Sequence, residues 1–140
     1  MTILVDTSTW IDFFNNHHSR EADSLAWYIE SRENISTCGV VLAEFFQGIR
    51  KTEQVSKLEH YFREMPNLTP HEPDSYLAAA TLYRNLRRRG VTIRSTIDCL
   101  IARLAEENDA LILARDRDLH AIVRSGAKFG LTRARLAPLL

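Results

Sequence analysis

The chain has 140 residues, 45% of them apolar, a size and composition that predict a single globular domain spanning residues 1–140. Lysine plus arginine equals aspartate plus glutamate, at 18 each, so the formal net charge is zero. This balance argues against a protein that coats nucleic acid through bulk electrostatics. No apolar run approaches the roughly 18 residues that a membrane span requires, so we expect no membrane segment.

Apolar residues recur along the chain with two different spacings. Spacings of three and four residues, as at Ala22, Leu25, Ala26 and Ile29, predict amphipathic helices, whereas short continuous runs predict buried strands. In chain order the predicted elements are a strand at residues 2–5, helices at 10–14 and 22–29, a strand at 35–38, helices at 39–49, 55–65 and 76–89, a helix that begins after Ser95, a strand at 110–114, a short helix at 116–123 and a final strand at 128–131.

This alternation of strands and helices predicts an α/β fold with a central parallel sheet covered on both faces. In such sheets ligands bind beyond the carboxyl ends of the strands. The residues directly after Val5, Cys38 and Ala114 are therefore the first candidates for a functional site.

The cysteines and the N-terminal residues indicate a reducing compartment. Cys38 and Cys99 show no CxxC spacing, and we interpret both as small buried hydrophobes rather than redox or metal-binding groups. Residues 1–6 form a short apolar run that ends in a carboxylate, which is unlike a signal peptide. We therefore expect a cytoplasmic protein.

Two carboxylates follow the first two predicted strands, one directly and one within the next helix. Asp6 follows the first strand, and by itself it is typical of a helix N-cap, although Thr7 or Ser8 could serve that role instead. Glu44 lies within a strongly apolar helix, which favours a buried carboxylate that needs a positive partner or a metal. The alternative is a narrow solvent-facing stripe that Glu44 shares with Gln47 and Lys51.

Three further aspartates lie near the last helices. Asp98 stands three residues after Ser95, as in a capping box, yet its apolar neighbours place it near the core. Asp118 is well placed to cap the helix that follows it. Asp116 is closer to the end of the strand and is the better candidate ligand. The remaining acids, including Glu106 and Glu107, are interpreted as solvated positions.

Together these acids predict an oxygen-only cluster at one edge of the sheet. Such clusters suit Mg²⁺ or Mn²⁺, which take carboxylates and waters and leave positions open for phosphate oxygens. The histidines show no spacing typical of zinc ligands. A local basic surface is also predicted, and its residues are Arg84, Arg87, Arg88, Arg89 and Arg94.

With these residues in their strand and helix contexts, the chain resembles the PIN-domain family, and within it the VapC-type toxins. The resemblance is carried by VDTS at residues 5–8, LAEF at 42–45, STIDCLIA at 95–102 and ARDRDL at 114–119. No single one of these motifs is specific, but the ordered set extends over nearly the whole chain.

The resemblance implies a three-layer α/β/α domain and a Mg²⁺- or Mn²⁺-dependent endoribonuclease. Carried over by position, Asp6, Glu44, Asp98 and Asp116 would form the catalytic, metal-binding pocket, and Thr7 or Ser8 would assist from its edge. Asp118 is a fifth candidate ligand. The resemblance also implies a homodimer that acts as the toxin of a toxin–antitoxin pair and is neutralised by a VapB-type antitoxin.

Under this hypothesis the carboxylates hold one or two metal ions that activate a water for attack on a phosphodiester, leaving 5′ phosphate and 3′ hydroxyl ends.

Two residues depart from the family pattern. Arg115 stands where a small polar residue or histidine is common, and Leu119 where phenylalanine is common. Both departures bear on substrate fit, because neither removes a carboxylate.

Other readings stay open at this point. A catalytically silent scaffold that binds RNA or protein would have the same fold. A Mg-dependent phosphatase of the haloacid-dehalogenase kind normally needs a second acid at position 8, where this chain has Ser8. A receiver-type signalling domain normally needs adjacent acids after the first strand. A 5′-nuclease of DNA flaps would need more chain than is present.

Overall fold

A parallel sheet of four strands forms the centre of the protein in a computed structural model that describes residues 1–140. The strands are β1 (Thr2–Val5), β2 (Asn34–Ser36), β3 (Ala110–Leu113) and β4 (Arg135–Leu136), in the order β2-β1-β3-β4. In the middle of the sheet, Ile3 pairs with Ile35 on one side and with Leu111 on the other. The predicted α/β fold with a central parallel sheet is confirmed.

Seven α-helices surround this sheet, and six of them form two packed groups. Helix α1 contacts α2 and α3, whereas α6 contacts α5 and α7. The side chains of β3 are buried along its whole length, as expected for a strand covered on both faces. The helices are α1 (Thr7–Phe14), α2 (Arg20–Glu30), α3 (Gly39–Gln47), α4 (Val55–Arg63), α5 (Asp74–Arg88), α6 (Thr96–Glu107) and α7 (Arg117–Gly126).

The strand order reverses direction between β1 and β3. The connection that leaves β1 leads to β2 on one side of the sheet, and the connection that leaves β3 leads to β4 on the other side. A reversal of this kind opens a crevice at the carboxyl ends of the two adjacent strands, where ligands bind in open α/β sheets. The residues that follow Val5 and Leu113 therefore lie at this crevice.

Trp10 holds α1 at this edge. Its ring is fully buried, lies edge-on to Phe62 of α4 with 4.9 Å between centroids, and stacks on Phe14 at 5.7 Å. Aromatic contacts of this type stabilise beyond the area that they bury. Because α1 begins directly after Asp6, this packing also fixes the position of Asp6.

Two predicted strands differ from the observed ones. The strand at residues 128–131 is wrong, because Ala127–Phe129 form a 3₁₀ turn and Gly130 takes a positive φ of 94°. The apolar residue Leu131 instead packs against Gly126, and the last strand comes later, at β4. The second strand ends at Ser36, and Cys38 already stands at the N-cap position of α3.

Both cysteines are buried and free, as predicted, and burial raises the pKa of each thiol. None of the helices combines the length and apolar character that crossing a bilayer demands.

Candidate active site

Asp6 lies at the crevice, directly after β1, and is only 5% exposed. Its side chain makes no capping bond to α1 and instead accepts a hydrogen bond from the Ser8 hydroxyl at 2.9 Å. Burial raises the pKa of Asp6, and the bond from Ser8 opposes that rise. Asp6 therefore stands at the N-cap position of α1 but lacks the side-chain capping bond that an N-cap aspartate is expected to make.

Glu44 approaches the same edge from α3. The expectation that it is buried is wrong: Glu44 is exposed, and its Oε1 accepts a hydrogen bond from the Thr7 hydroxyl at 3.1 Å. The apolar pattern of α3 overstates burial because only Val41 and Phe45 are fully buried, while Leu42 and Phe46 are half-buried and line a groove beside α4.

Asp98 lies in the first turn of α6. Ser95 caps this helix by accepting the amide of Ile97 at 3.1 Å, but Asp98 returns no bond to Ser95, so only half of the predicted capping box forms. Burial raises the pKa of Asp98 to about 7. Further contributions come, in decreasing order, from the negative charges of Asp116, Asp6, Asp118 and Glu44, which shows that all five carboxylates share one electrostatic environment.

The capping role that the sequence predicts for Asp118 belongs to Asp116. Asp116, not Asp118, caps α7, because its Oδ1 accepts the amide of Asp118 at 2.7 Å. Asp118 accepts two bonds on Oδ2 from Arg94, from the backbone amide at 3.1 Å and from Nε at 2.9 Å. Burial opposes ionisation of Asp118, but the hydrogen bonds and charge of Arg94 outweigh it and lower its pKa.

The tightest part of the site is a group of three carboxylates, Asp98, Asp116 and Asp118. One oxygen from each lies within 4.8 Å of the others. A donor set made only of carboxylate oxygens fits a hard divalent cation. Of the four acids predicted as ligands, Asp98 and Asp116 belong to this group together with the fifth candidate, while Asp6 and Glu44 adjoin it.

Arg94 lies apart from the other arginines of the predicted basic surface. Its side chain binds Asp118 and, through Nη2 at 3.1 Å, Asp116. The one feature of the sequence that could have indicated these contacts is the position of Arg94 directly before Ser95, the N-cap residue of α6. Among the other arginines, Arg87 contacts the Tyr83 hydroxyl and Arg89 lies over the ring of Phe129. Their role in RNA binding stays a prediction.

Arg115, one of the two departures from the family pattern, turns toward α1. Its Nε lies 3.4 Å from Oδ2 of Asp12, a carboxylate that is only 5% exposed. Arg115, the residue before Asp116, therefore forms an ion pair with Asp12 beside the acidic group.

Comparison with known proteins assigns the family. The PIN domain model matches residues 3–124. The chain is 35% identical over 123 residues to VapC ribonuclease Mb1587 of Mycobacterium bovis, which covers 87% of this chain and 92% of that protein. The same identity and coverage hold for Ribonuclease VapC11 of Mycobacterium tuberculosis.

Solved structures of low sequence identity share the fold. A chain in the crystal structure of VapBC2 from Rickettsia felis, bound to a DNA fragment from their promoter, superposes with a TM-score of 0.68 at 20% identity and 98% coverage of both chains. FitAcB from Neisseria gonorrhoeae gives a TM-score of 0.65 at 17% identity and 97% coverage of both. This chain belongs to the PIN domain family, because the family model matches most of the chain and relatives are 35% identical to it.

Proposed function

We propose that this protein is an endoribonuclease that works with a bound divalent cation, Mg²⁺ or Mn²⁺, and is the toxin of a toxin–antitoxin pair. The observation that carries the proposal is the convergence of the Asp98, Asp116 and Asp118 carboxylates within 4.8 Å at the edge where the strand order reverses. The relatives at 35% identity are named as ribonucleases, which supports RNA as the substrate.

Each acid has a part in this proposal. Asp98, Asp116 and Asp118 supply the main ligand oxygens, and Asp6 and Glu44 complete the acidic pocket from its edge. When bound, the cation supplies a Lewis acid that activates water and offsets the charge on a phosphate. Without a cation the pocket would repel RNA, because phosphate and carboxylates carry the same sign of charge.

Two hydroxyl groups orient the carboxylates at the edge of the pocket. Ser8 donates to Asp6 and Thr7 donates to Glu44, and both hydroxyls belong to the first turn of α1. Groups that hold ligand side chains in place matter to a metal site nearly as much as the ligands. We assign Thr7 and Ser8 this positioning role.

The proposal includes partners. A VapB-type antitoxin would neutralise the protein, and a second copy of the chain would complete a homodimer. The relatives named VapC and the fold shared with chains of VapBC and FitAB complexes support a partner of this kind.

The test is metal-dependent cleavage of RNA by the purified protein. With Mn²⁺ we expect RNA fragments with 5′ phosphate ends, and excess chelator should abolish them. Asp98→Asn should be inactive, whereas Asp109→Asn should cut normally, since Asp109 is exposed at positive φ, which asparagine also tolerates. Cleavage that persists in chelator would contradict the proposal, and no cleavage of any RNA with Mn²⁺ would favour the silent scaffold.

A further inference from the structure

The guanidinium of Arg94 lies against the acidic group at its exposed side. Nε donates to Asp118 Oδ2 at 2.9 Å and Nη2 donates to Asp116 Oδ2 at 3.1 Å, while the side chain remains 73% exposed. One arginine side chain therefore bridges two of the three carboxylates that the proposed function assigns to a cation.

The hydrogen bonds leave few free oxygens on these two aspartates. Oδ1 of Asp116 accepts the amide of Asp118, and Arg94 engages Oδ2 of both residues. Asp98 accepts no hydrogen bond. A cation that is bound by the Oδ2 atoms of Asp116 and Asp118 would therefore compete with the positive Arg94 guanidinium for the same two oxygens.

We propose that Arg94 is a built-in counter-charge that competes with the divalent cation for Asp116 and Asp118, and so weakens metal binding. This inference rests on the proposed function. Arg94 holds the two carboxylates together when no metal is bound, and it gives them up when metal binds. It is a positioning residue, because it acts through the ligands.

The chemistry of arginine suits this role. The guanidinium stays charged at every physiological pH, and its planar fork matches two carboxylates at once. An exposed ion pair is weak and screened by solvent, so a divalent cation can displace it. The backbone amide of Arg94 also donates to Asp118, so Asp118 keeps one of its bonds when the side chain moves away.

Manganese binding, followed through the EPR signal of free Mn²⁺, tests the competition. Arg94→Ala should bind Mn²⁺ about tenfold more tightly than the wild type, because a positive charge next to the ion is removed. Arg94→Lys, which keeps the charge, should stay near the wild-type affinity. The matched control is Arg63→Ala, which removes an exposed arginine that pairs with Glu59 on α4, and it should change nothing.

A purely structural role for Arg94 predicts the opposite sign, because carboxylates that lose their support bind metal less well. Unchanged or weaker binding by Arg94→Ala would therefore overturn the inference. If the wild type itself neither binds Mn²⁺ nor cuts RNA, the proposed function fails as well. If it does both and Arg94→Ala binds no tighter, only this inference fails.

Discussion

The backbone amide of Asp6 donates a 2.9 Å hydrogen bond to the carbonyl oxygen of Leu113, the last residue of β3. The pairing of β1 with β3 therefore continues one residue beyond the end of β1. Asp116 follows Leu113 by three residues, so this bond brings the two acids to the same edge of the sheet. The position of the acidic pocket is thus a consequence of the strand order, because it forms where β1 and β3 end side by side.

Asp6→Asn should abolish cleavage and leave the fold intact. Asparagine is nearly isosteric and can still accept the Ser8 hydroxyl bond, but it removes a charge from the pocket. We expect RNA cleavage with Mn²⁺ to fall by about 100-fold or more, the effect of losing several kcal/mol of transition-state stabilisation. Thermal unfolding in chelator checks the fold. Cleavage near the wild-type rate would remove Asp6 from the site.

Thr7→Val should reduce cleavage less severely. The substitution keeps the shape of the side chain but removes the hydroxyl that donates to Glu44 at 3.1 Å. Loss of such a supporting contact typically reduces metal-dependent activity by about tenfold or more. The comparison is kcat/KM at saturating Mn²⁺ against Thr81→Val, a control at an exposed position of α5. Equal values for the two variants would show that Glu44 needs no support from Thr7.

Asp98→Asn should stabilise the metal-free protein at neutral pH. The pKa of Asp98 is raised to about 7 in the folded chain by burial and by the neighbouring acids, so the folded state holds the proton more tightly than the unfolded state. The free energy of unfolding therefore decreases as pH rises from about 4 to 7. We expect the variant to gain about 1 kcal/mol at pH 7, or roughly 3 °C in Tm.

The pH dependence separates this effect from ordinary repacking. The gain should disappear below about pH 3, where the wild-type carboxyl is protonated in both states. Adding Mn²⁺ should then raise the Tm of the wild type and leave Asp98→Asn unchanged, because only a state that binds the ion is stabilised by it. A variant that is less stable than the wild type in chelator at pH 7 would contradict the account.

Glu106→Gln should destabilise the fold without involving the acidic pocket. Glu106 is 4% exposed, and its two oxygens accept the amides of Thr132, Arg133 and Ala134 on the approach to β4. A glutamine amide would turn an N–H₂ group toward these donors. The expected loss is about 1–3 kcal/mol of unfolding free energy, measured by urea denaturation.

The pH dependence of Glu106 has the opposite sign from that of Asp98. Burial alone would raise the pKa of Glu106, but the hydrogen bonds from Arg133, Ala134 and Thr132 outweigh it and lower the pKa. The stabilisation is therefore complete above the ordinary glutamate pKa and is lost as pH falls through the folded value. The difference between Glu106→Gln and the wild type should shrink below about pH 4.5. A difference that stays constant down to pH 3 would assign the effect to packing.

The sequence predicted the sheet and the position of Asp6 and Asp116 because both rest on local signals. Continuous apolar runs mark β1 and β3, and an acid that follows such a run lies at the end of a strand. Both signals come from the local sequence and do not depend on which segments pack against each helix. The predicted positions of β1 and β3 therefore agree with the structure.

Side-chain environments were predicted less well, because they depend on contacts between distant segments. The apolar sequence of α3 predicts a buried Glu44, yet half of its apolar stripe lines a groove. The sequence indicates a solvated Glu106, yet the loop before β4 encloses it. The position of Arg94 next to the arginines of α5 does not reveal its partners, which lie 22 and 24 residues later in the chain.

Anomalous diffraction at the manganese edge, from crystals grown with Mn²⁺, tests the central claim most directly. The account predicts a peak at the acidic group, with carboxylate oxygens of Asp98 and of Asp116 or Asp118 about 2.1 Å from the ion. A protein that binds Mn²⁺ in solution but shows its only peak away from these residues would contradict it.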